Sequence, residues 1–368
     1  MLARIKLYLK NFDWLIFFPV LFLVAFGLIE IYSIALGQGV LDALNFKKQI
    51  IFALIGFLGL FIFSWLDAYF IKSLSRYWYL LAVLLLIAVL IFGQSIRGTK
   101  GWFSIFGLGI QPVEFVKIIL IIFLSNYFSN LAVKVKSLSH FFFSGLTTFI
   151  FVFLIILQPD FGSAMMLIAI WLVLLFAAGF RKKYFLVIFL SAVIIFISSW
   201  FLFFKDYQKE RILTFMNPGE NALEAGYNSS QAVIAIGSGG LIGKGVGFGS
   251  QSQLKFLPEA QNDFIFSVIA EELGFLGVFL VLVFYGIFFF RCFSVLPKIS
   301  NDFGVYFIIG ACGLIFIQMF INIGMNLGIV PIVGLSLPFV SYGGSALVTL
   351  LIMVGIIENI IIKSKINY

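Results

Sequence analysis

The chain has 368 residues, of which 62% are hydrophobic and only 11% are charged, and its mean hydropathy is +1.14. This composition excludes a soluble domain, and apolar runs of about twenty residues, the length that crosses a bilayer, recur from end to end. The formal net charge of +8 does not indicate nucleic-acid binding, because the cations flank the apolar runs. We therefore predict an all-α polytopic membrane protein.

The apolar runs predict about ten transmembrane helices in a single domain, residues 1–368. The first run lacks a small-residue cleavage site, so we expect a retained span and not a signal peptide. The ten predicted spans, in chain order, are 14–36, 48–66, 77–94, 111–130, 141–158, 161–180, 184–204, 264–290, 303–326 and 341–362.

The basic residues predict the orientation of these spans. If the N-terminus is cytoplasmic, fourteen of the 24 Lys and Arg residues lie in inner segments, and four lie in the short outer loops. Short cytoplasmic loops are enriched in Lys and Arg, so both termini are expected inside. The long polar segment 205–263, between the seventh and eighth helices, is then an extracytoplasmic loop, and an active site would face outward.

Two parts of this loop have distinctive patterns. Residues 236–249 are dense in glycine but have neither Walker spacing nor a strand–helix context, so close backbone packing is a better interpretation than nucleotide binding. The polar residues 227–231, followed by the apolar residues 232–236, predict a short amphipathic or re-entrant helix.

Asp263 lies where the polar loop meets the eighth span. Pro258 stops any preceding helix, and Asn262 or Asp263 can cap a helix that begins at Phe264. The Asp263 carboxylate is either such a cap or a group that meets both lipid headgroups and water. Glu271 and Glu272 follow inside the apolar run, where ionisable groups usually mark a functional interior.

Other charges recur at the predicted outer ends of spans. Glu114 and Lys117 are three residues apart, so they share a helix face and can pair. Gln111-Pro112 and Gln158-Pro159-Asp160 each place a proline at a helix start with an acid close behind, which is also ordinary capping chemistry. The stretch 97–103 adds two cations, Arg97 and Lys100, and an aromatic pair that includes Trp102. The alternative for this stretch is an aromatic belt with snorkelling cations.

The ninth span ends with two amides, Asn322 and Asn326, which lie on one helix face. The stretch 331–345 that follows contains two prolines and three glycines. Irregular backbone at membrane depth needs protein or a cavity around it to satisfy its polar groups. The alternative is that this stretch is only a tight connection between two helices.

The motifs at 158–162, 257–274 and 322–345 together resemble the SEDS family (shape, elongation, division and sporulation) over nearly the whole chain. Those proteins are peptidoglycan glycosyltransferases of the bacterial inner membrane. The stretches 236–240 and 252–259 are similar to the elongation-type, RodA-like branch. One departure is Gly101, which stands where the family usually has an arginine.

The resemblance implies polymerisation of lipid II into glycan strands during cell-wall elongation, with release of undecaprenyl pyrophosphate. It implies Asp263 as the catalytic base. The residues expected to bind substrate or shape its cavity are Lys117, Glu114, Asp160, Trp102, Arg97, Lys100 and Arg211. A divalent cation, Mg²⁺ or Mn²⁺, between Asp263 and the pyrophosphate is left open, and no protein-built metal site is expected from one histidine and two cysteines.

The resemblance also implies a partner, a class B penicillin-binding protein that crosslinks the glycan. Aromatic residues of the eighth and ninth spans are a candidate docking surface, namely Phe284, Phe288, Phe289, Phe303 and Phe307. Two alternatives to the enzyme remain. A lipid II flippase would also use buried charges, although near the membrane midplane, and a silent scaffold would need none.

Overall fold

In this computed structural model, residues 2–38, 40–96, 98–105, 107–131, 138–202, 209 and 226–366 are described. Helices dominate, and each of the ten predicted spans coincides with one. The helices are α1 (Leu2–Asn11), α2 (Trp14–Gln38), α3 (Val40–Trp65), α4 (Ala68–Ser73), α5 (Ser75–Phe92), α6 (Pro112–Asn130), α7 (Leu138–Ile156), α8 (Phe161–Ala177), α9 (Lys182–Leu202), α10 (Tyr227–Gly239), α11 (Ser250–Gln253), α12 (Ile265–Val295), α13 (Asp302–Asn326) and α14 (Gly344–Ile366). Within the described residues, eight helices are long and apolar enough to cross a membrane. The predicted polytopic helical fold is confirmed.

A small sheet between α5 and α6 was not anticipated. Its antiparallel strands, in the order β1-β2-β3, are β1 (Gln94–Ile96), β2 (Thr99–Ile105) and β3 (Leu108–Ile110). The stretch 97–103, which the sequence leaves between a substrate-binding role and an aromatic belt, therefore contributes to this sheet. Lys100 and Trp102 are both in β2.

The helices pack around α14, which runs along α3 and also touches α6, α13 and α1. At the end where α14 finishes, the buried Asp13 accepts hydrogen bonds from Arg291 Nε and Nη2, at 2.9 and 2.7 Å, and from Lys365 Nζ at 3.0 Å. Burial of Asp13 disfavours its charged form, but the hydrogen bonds from Arg291 and Lys365 outweigh this, so its pKa is lowered. Asp13 thus ties together the ends of α2, α12 and α14.

Helix α12 is broken at Gly274, whose φ of 65° and ψ of −160° are not helical. The segment 240–245 supplies partners for the backbone groups that the break frees. Lys244 N–H and Gly245 N–H donate to the carbonyls of Glu271 and Glu272, at 3.0 and 2.9 Å. In return, the N–H groups of residues 275 and 276, just after the break, donate to the carbonyls of residues 240 and 241.

This break lies at membrane depth, because nine helical residues, 265–273, precede it, which is roughly 13 Å in a bilayer core of about 30 Å. Gly243 is essential to the contact, since a Cβ there would overlap the Glu272 carbonyl. Helix α10 packs on α12 beside the break at Gly274. The short helix predicted for this part of the loop is therefore present, and the glycine-dense stretch is packed closely on backbone as expected.

Candidate active site

Asp263 lies at the end of the bundle opposite Asp13. Helix α12 begins at Ile265, with Phe264 at the N-cap position and no side-chain cap from that residue. The prediction that the helix begins at Phe264, with Asn262 or Asp263 as its cap, is therefore wrong by one residue. Asp263 is half-buried, and its Oδ2 is 3.6 Å from the place that a Cβ would occupy on Gly334. The carboxylate thus faces the irregular segment 327–343.

Two buried amides of α13 hold the main chain of Asp263. Asn322 Nδ2 and Asn326 Nδ2 donate to the Asp263 carbonyl oxygen, at 3.0 and 2.9 Å. Asn326 Oδ1 accepts from Ser267 N–H at 3.3 Å and Ser267 Oγ–H at 2.6 Å, so α13 supplies a cap for the first turn of α12. The prediction that these amides share a face is confirmed, and together they determine where Asp263 stands.

The irregular segment forms one wall of the site, and buried side chains satisfy its backbone. Gln318 Nε2 donates to Ser336 O at 3.0 Å, and Asn322 Nδ2 donates to Leu335 O at 2.7 Å. Ser341 Oγ–H donates to Asn262 O at 2.6 Å, which joins this wall to the residue before Asp263. The requirement for surrounding protein, stated from the sequence, is met in this way.

Lys117 and Glu114 form an ion pair in α6, with 2.7 Å between Nζ and Oε1. The Lys117 side chain is 2% exposed and that of Glu114 is 12% exposed. The predicted pairing is confirmed. A buried ammonium that is paired with a carboxylate at the rim can exchange that partner for an anionic group of a ligand.

Asp160 caps α8. Its Oδ1 accepts from Ser163 N–H at 3.0 Å, and its Oδ2 accepts from Ser163 Oγ–H at 2.8 Å and Gln111 Nε2 at 3.2 Å. Pro159 precedes the cap, with a φ of 32°, so the prediction that a proline opens this helix is wrong. The capping interpretation of Asp160 is correct. The prediction that it also shapes the substrate cavity is not tested by these contacts.

A continuous set of contacts connects these groups. Gln111 N–H donates to Ser345 Oγ at 2.9 Å, which joins α6 to α14. A Cβ on Gly162, two residues after Asp160, would lie 3.0 Å from Val333 O, so α8 packs on the wall that Asp263 faces. The structure therefore gathers Glu114, Lys117, Asp160 and Asp263 at one end of the bundle.

The remaining predicted residues are not part of this set of contacts, or they are among the residues that the structure does not describe. Lys100 is exposed, and its Nζ donates to Ile91 O, 3.4 Å away, at the end of α5. Trp102 is half-buried in β2, and the preceding Gly101 faces Gln158, whose Oε1 lies 3.2 Å from the Cβ position. Arg97 and Arg211 fall outside the described residues. Substrate contacts by these four residues stay predictions.

Several uncharged residues that build the site were not identified from the sequence. Gln318 is an amide within a long apolar run, and an amide at membrane depth needs a partner, so this signal identifies it in retrospect. Gln49 follows Lys47 and Lys48 at the start of an apolar run and carries no such signal, although its Nε2 donates to Ser341 O at 3.2 Å. Gln111 is a third, because it joins Asp160 to α14.

The donor set does not match a protein-built metal site. Within the described residues, no group of three or more His, Cys, Asp and Glu side chains could hold a metal ion. A divalent cation bound jointly by Asp263 and a substrate pyrophosphate would need the substrate to supply most of its ligands.

Comparison with known proteins identifies the family. The family model for the cell cycle proteins FtsW, RodA and SpoVE matches residues 13–366. The chain belongs to this family. The SEDS resemblance inferred from the motifs is thereby confirmed for nearly the whole chain.

Relatives within the FtsW/RodA/SpoVE family are similar along most of their length. Stage V sporulation protein E of Bacillus subtilis is 34% identical over 357 residues, covering 95% of this chain and 96% of that protein. The peptidoglycan glycosyltransferase MrdB of Escherichia coli is 37% identical over 286 residues, covering 78% of this chain and 77% of that protein.

Solved structures of the family share the fold. The rod shape determining protein RodA of Thermus thermophilus is 27% identical with a TM-score of 0.72, covering 97% of this chain and 98% of that one. A chain from a peptidoglycan synthase complex, described as coordinating polymerisation and crosslinking, is 28% identical with a TM-score of 0.82, covering 96% of this chain and 98% of that one.

Proposed function

We propose that this chain is a peptidoglycan glycosyltransferase that polymerises lipid II into glycan strands during cell-wall elongation and rod-shape maintenance. The observation that carries the proposal is the placement of Asp263. Its main chain is held by two buried amides, and its carboxylate faces the irregular segment on which α8 packs just after Asp160. Relatives bearing the name peptidoglycan glycosyltransferase support the same activity.

The proposed reaction is an inverting sugar transfer. The acceptor hydroxyl oxygen attacks the anomeric carbon of the donor sugar, and the bond from that carbon to the pyrophosphate oxygen breaks. The hydroxyl proton passes to the Asp263 carboxylate, and the undecaprenyl pyrophosphate leaves as an anion. No strong acid is required, because the leaving group is already a stable anion.

Lys117 is the proposed cation for the leaving group. Its ammonium is buried and preoriented by Glu114, so little reorganisation is needed when negative charge develops on the pyrophosphate oxygens. Asp160 and Gln111 hold the neighbouring helix ends in register. The test is whether the purified protein converts lipid II to glycan polymer.

The flippase alternative is weakened by how the deeper charges are used. Glu271, at the break in α12, accepts hydrogen bonds from Lys244 Nζ and from the N–H groups of Gln251 and Ser252, at 2.9, 3.0 and 3.2 Å. A carboxylate occupied in this way holds the loop in place and leaves little capacity for a transported group. The scaffold alternative leaves the buried Lys117–Glu114 pair without a purpose.

We propose that the protein lies in the bacterial inner membrane with Asp263 on the extracytoplasmic face. The reason is the excess of Lys and Arg at the opposite end of the helices. Single cysteines at Ser104 and Lys182, both exposed, are expected to react with a membrane-impermeant maleimide from outside and from inside respectively. The native Cys292 and Cys312 are buried and serve as the unlabelled background. The reverse labelling pattern would overturn the orientation.

We also propose a class B penicillin-binding protein as partner, since a structure of similar fold comes from a complex that couples polymerisation to crosslinking. The docking surface suggested from the sequence is wrong, because Phe288, Phe303 and Phe307 are buried in the helical core and Phe284 stacks on Phe22.

We expect the transpeptidase to co-purify with the tagged chain from solubilised membranes. A tagged unrelated multi-pass protein of similar abundance is the control. Equal recovery with the two baits would contradict the partnership.

A further inference from the structure

Glu30 is a buried acid that the proposed reaction does not use. It lies in α2 and is 0% exposed, and neither of its carboxyl oxygens has a hydrogen-bond partner among the described residues. Its helix face is packed against the irregular segment 327–343 at one end and against α11 at the other. A Cβ on Gly27 would overlap the Val340 carbonyl, and one on Gly37 would overlap the Gln253 side chain. Glu30 thus lies between the loop segment that contains Gln253, which precedes Asp263, and the irregular segment 327–343, which Asp263 faces.

The neighbouring carboxylate, Glu272, is in contrast well supplied with hydrogen-bond donors. Its Oε2 accepts from Ser33 Oγ–H at 2.5 Å and Gly247 N–H at 3.0 Å, and its Oε1 accepts from Ser252 Oγ–H and Gln253 Nε2, both at 3.3 Å. The single Ser252 hydroxyl proton is shared with Gly249 O at 3.1 Å, so at least three donors hold Glu272, as suits an ionised carboxylate, which only accepts. Ser33 is one turn from Glu30 on the same face of α2, and the two carboxyl groups repel each other electrostatically.

The charges around this pair leave Glu30 uncompensated. Lys244 is bound by Glu271 and Ser250, at 2.9 and 3.0 Å, and no cation in the described part of the chain is paired with Glu30 or Glu272. An isolated ionised carboxylate in such surroundings would cost several kcal/mol. Within the described part of the chain, no side chain neutralises Glu30, so we look for another source of neutralisation.

We propose that Glu30 is a proton-binding site, so that Glu30 and Glu272 together carry one negative charge. Loss of the proton places two anions side by side, and Glu272 then loses the donors that fasten segment 244–253 to α2 and α12. That segment leads directly to Asp263, through a small core in which Ile34, Leu257 and Phe264 pack together. Alkaline pH thus loosens the base-bearing loop. The link to polymerisation rests on the proposed function, whereas the link to stability does not.

The test compares wild type with Glu30→Gln by thermal unfolding from about pH 4 to about pH 10, a range that starts near the ordinary pKa of an exposed glutamate, about 4.3. Glu30→Gln keeps the shape of the neutral acid. A carboxyl group that is protonated in the folded state and ionised in the unfolded state lowers stability as pH rises. We therefore expect the two midpoints to agree best at about pH 4, and the wild-type midpoint to fall more steeply with rising pH than that of the variant. Glu30→Met, also neutral, should behave like Glu30→Gln and covers the case that glutamine is misplaced. Asp302→Asn, which changes an exposed acid, is the control and should follow wild type.

Infrared absorption gives a direct readout that needs no substrate. Wild type at neutral pH should show a protonated-carboxyl band that is reduced in Glu30→Gln and in Glu30→Met. Parallel pH profiles, or spectra without this difference, would overturn the proposal. Stabilisation by added Na⁺ or Mg²⁺ at fixed pH that disappears in the variants would overturn it in favour of a metal cation. Since neither readout uses lipid II, an inactive enzyme would leave both results interpretable.

Discussion

Asp263→Asn is expected to lower the rate of glycan polymerisation by roughly 10²–10⁴-fold, the usual worth of a positioned base. Folding should be unchanged, because the contacts from Asn322 and Asn326 go to the main-chain carbonyl and survive the substitution. Asparagine also caps helices about as well as aspartate, so a purely structural role predicts near-normal activity. The two roles therefore predict very different rates from one variant.

The measurement is glycan synthesis from lipid II by the purified variant, with thermal unfolding and lipid II binding followed in parallel. Asp302→Asn makes the same chemical change at an exposed acid at the far end of the bundle and should retain full activity. If Asp263→Asn polymerised within a few-fold of wild type, Asp263 would not be the base. Asp160 would be tested next, although three hydrogen bonds already occupy its carboxylate.

Lys117→Ala is expected to reduce the rate of polymerisation by about 10²–10³-fold. This is the usual effect of removing one preorganised group that stabilises transition-state charge. Glu114→Gln should reduce it less, because the ammonium remains and loses only its orienting partner. Lys117→Ala carries a stability cost as well, since it leaves Glu114 without its partner in a largely buried place.

A double variant separates the two effects of Lys117. Lys117→Met with Glu114→Gln removes both charges and keeps the side-chain volumes, so it should fold about as stably as wild type and remain inactive. Turnover by this variant comparable to Glu114→Gln alone would show that the ammonium is not needed. Single-turnover assays and lipid II binding measurements separate a defect in the chemical step from a defect in binding. A leaving-group role for Lys117 predicts a defect in the chemical step.

The chain's local patterns determined the spans and their charged ends. Apolar runs must be helical in a bilayer because each helix satisfies its own backbone, so hydropathy alone located all ten spans. The Glu114–Lys117 pair was equally predictable from the sequence, since residues three apart on a helix are neighbours whatever the rest of the fold. Motif order determined the family for the same reason, as it is a property of the linear sequence.

The environment of Asp263 was decided by tertiary structure. The amides that hold its carbonyl are 59 and 63 residues away, and nothing local indicates that α13 rather than Asp263 caps α12. The break at Gly274 is stable only because segment 240–245 supplies its missing hydrogen-bond partners. Glu271, Glu272 and Glu30 carry the same side chain in apolar runs. The first two hold a loop, whereas the third has no hydrogen-bond partner among the residues that the structure describes. Burial and donor supply, which depend on distant segments, determine what each carboxyl group can do.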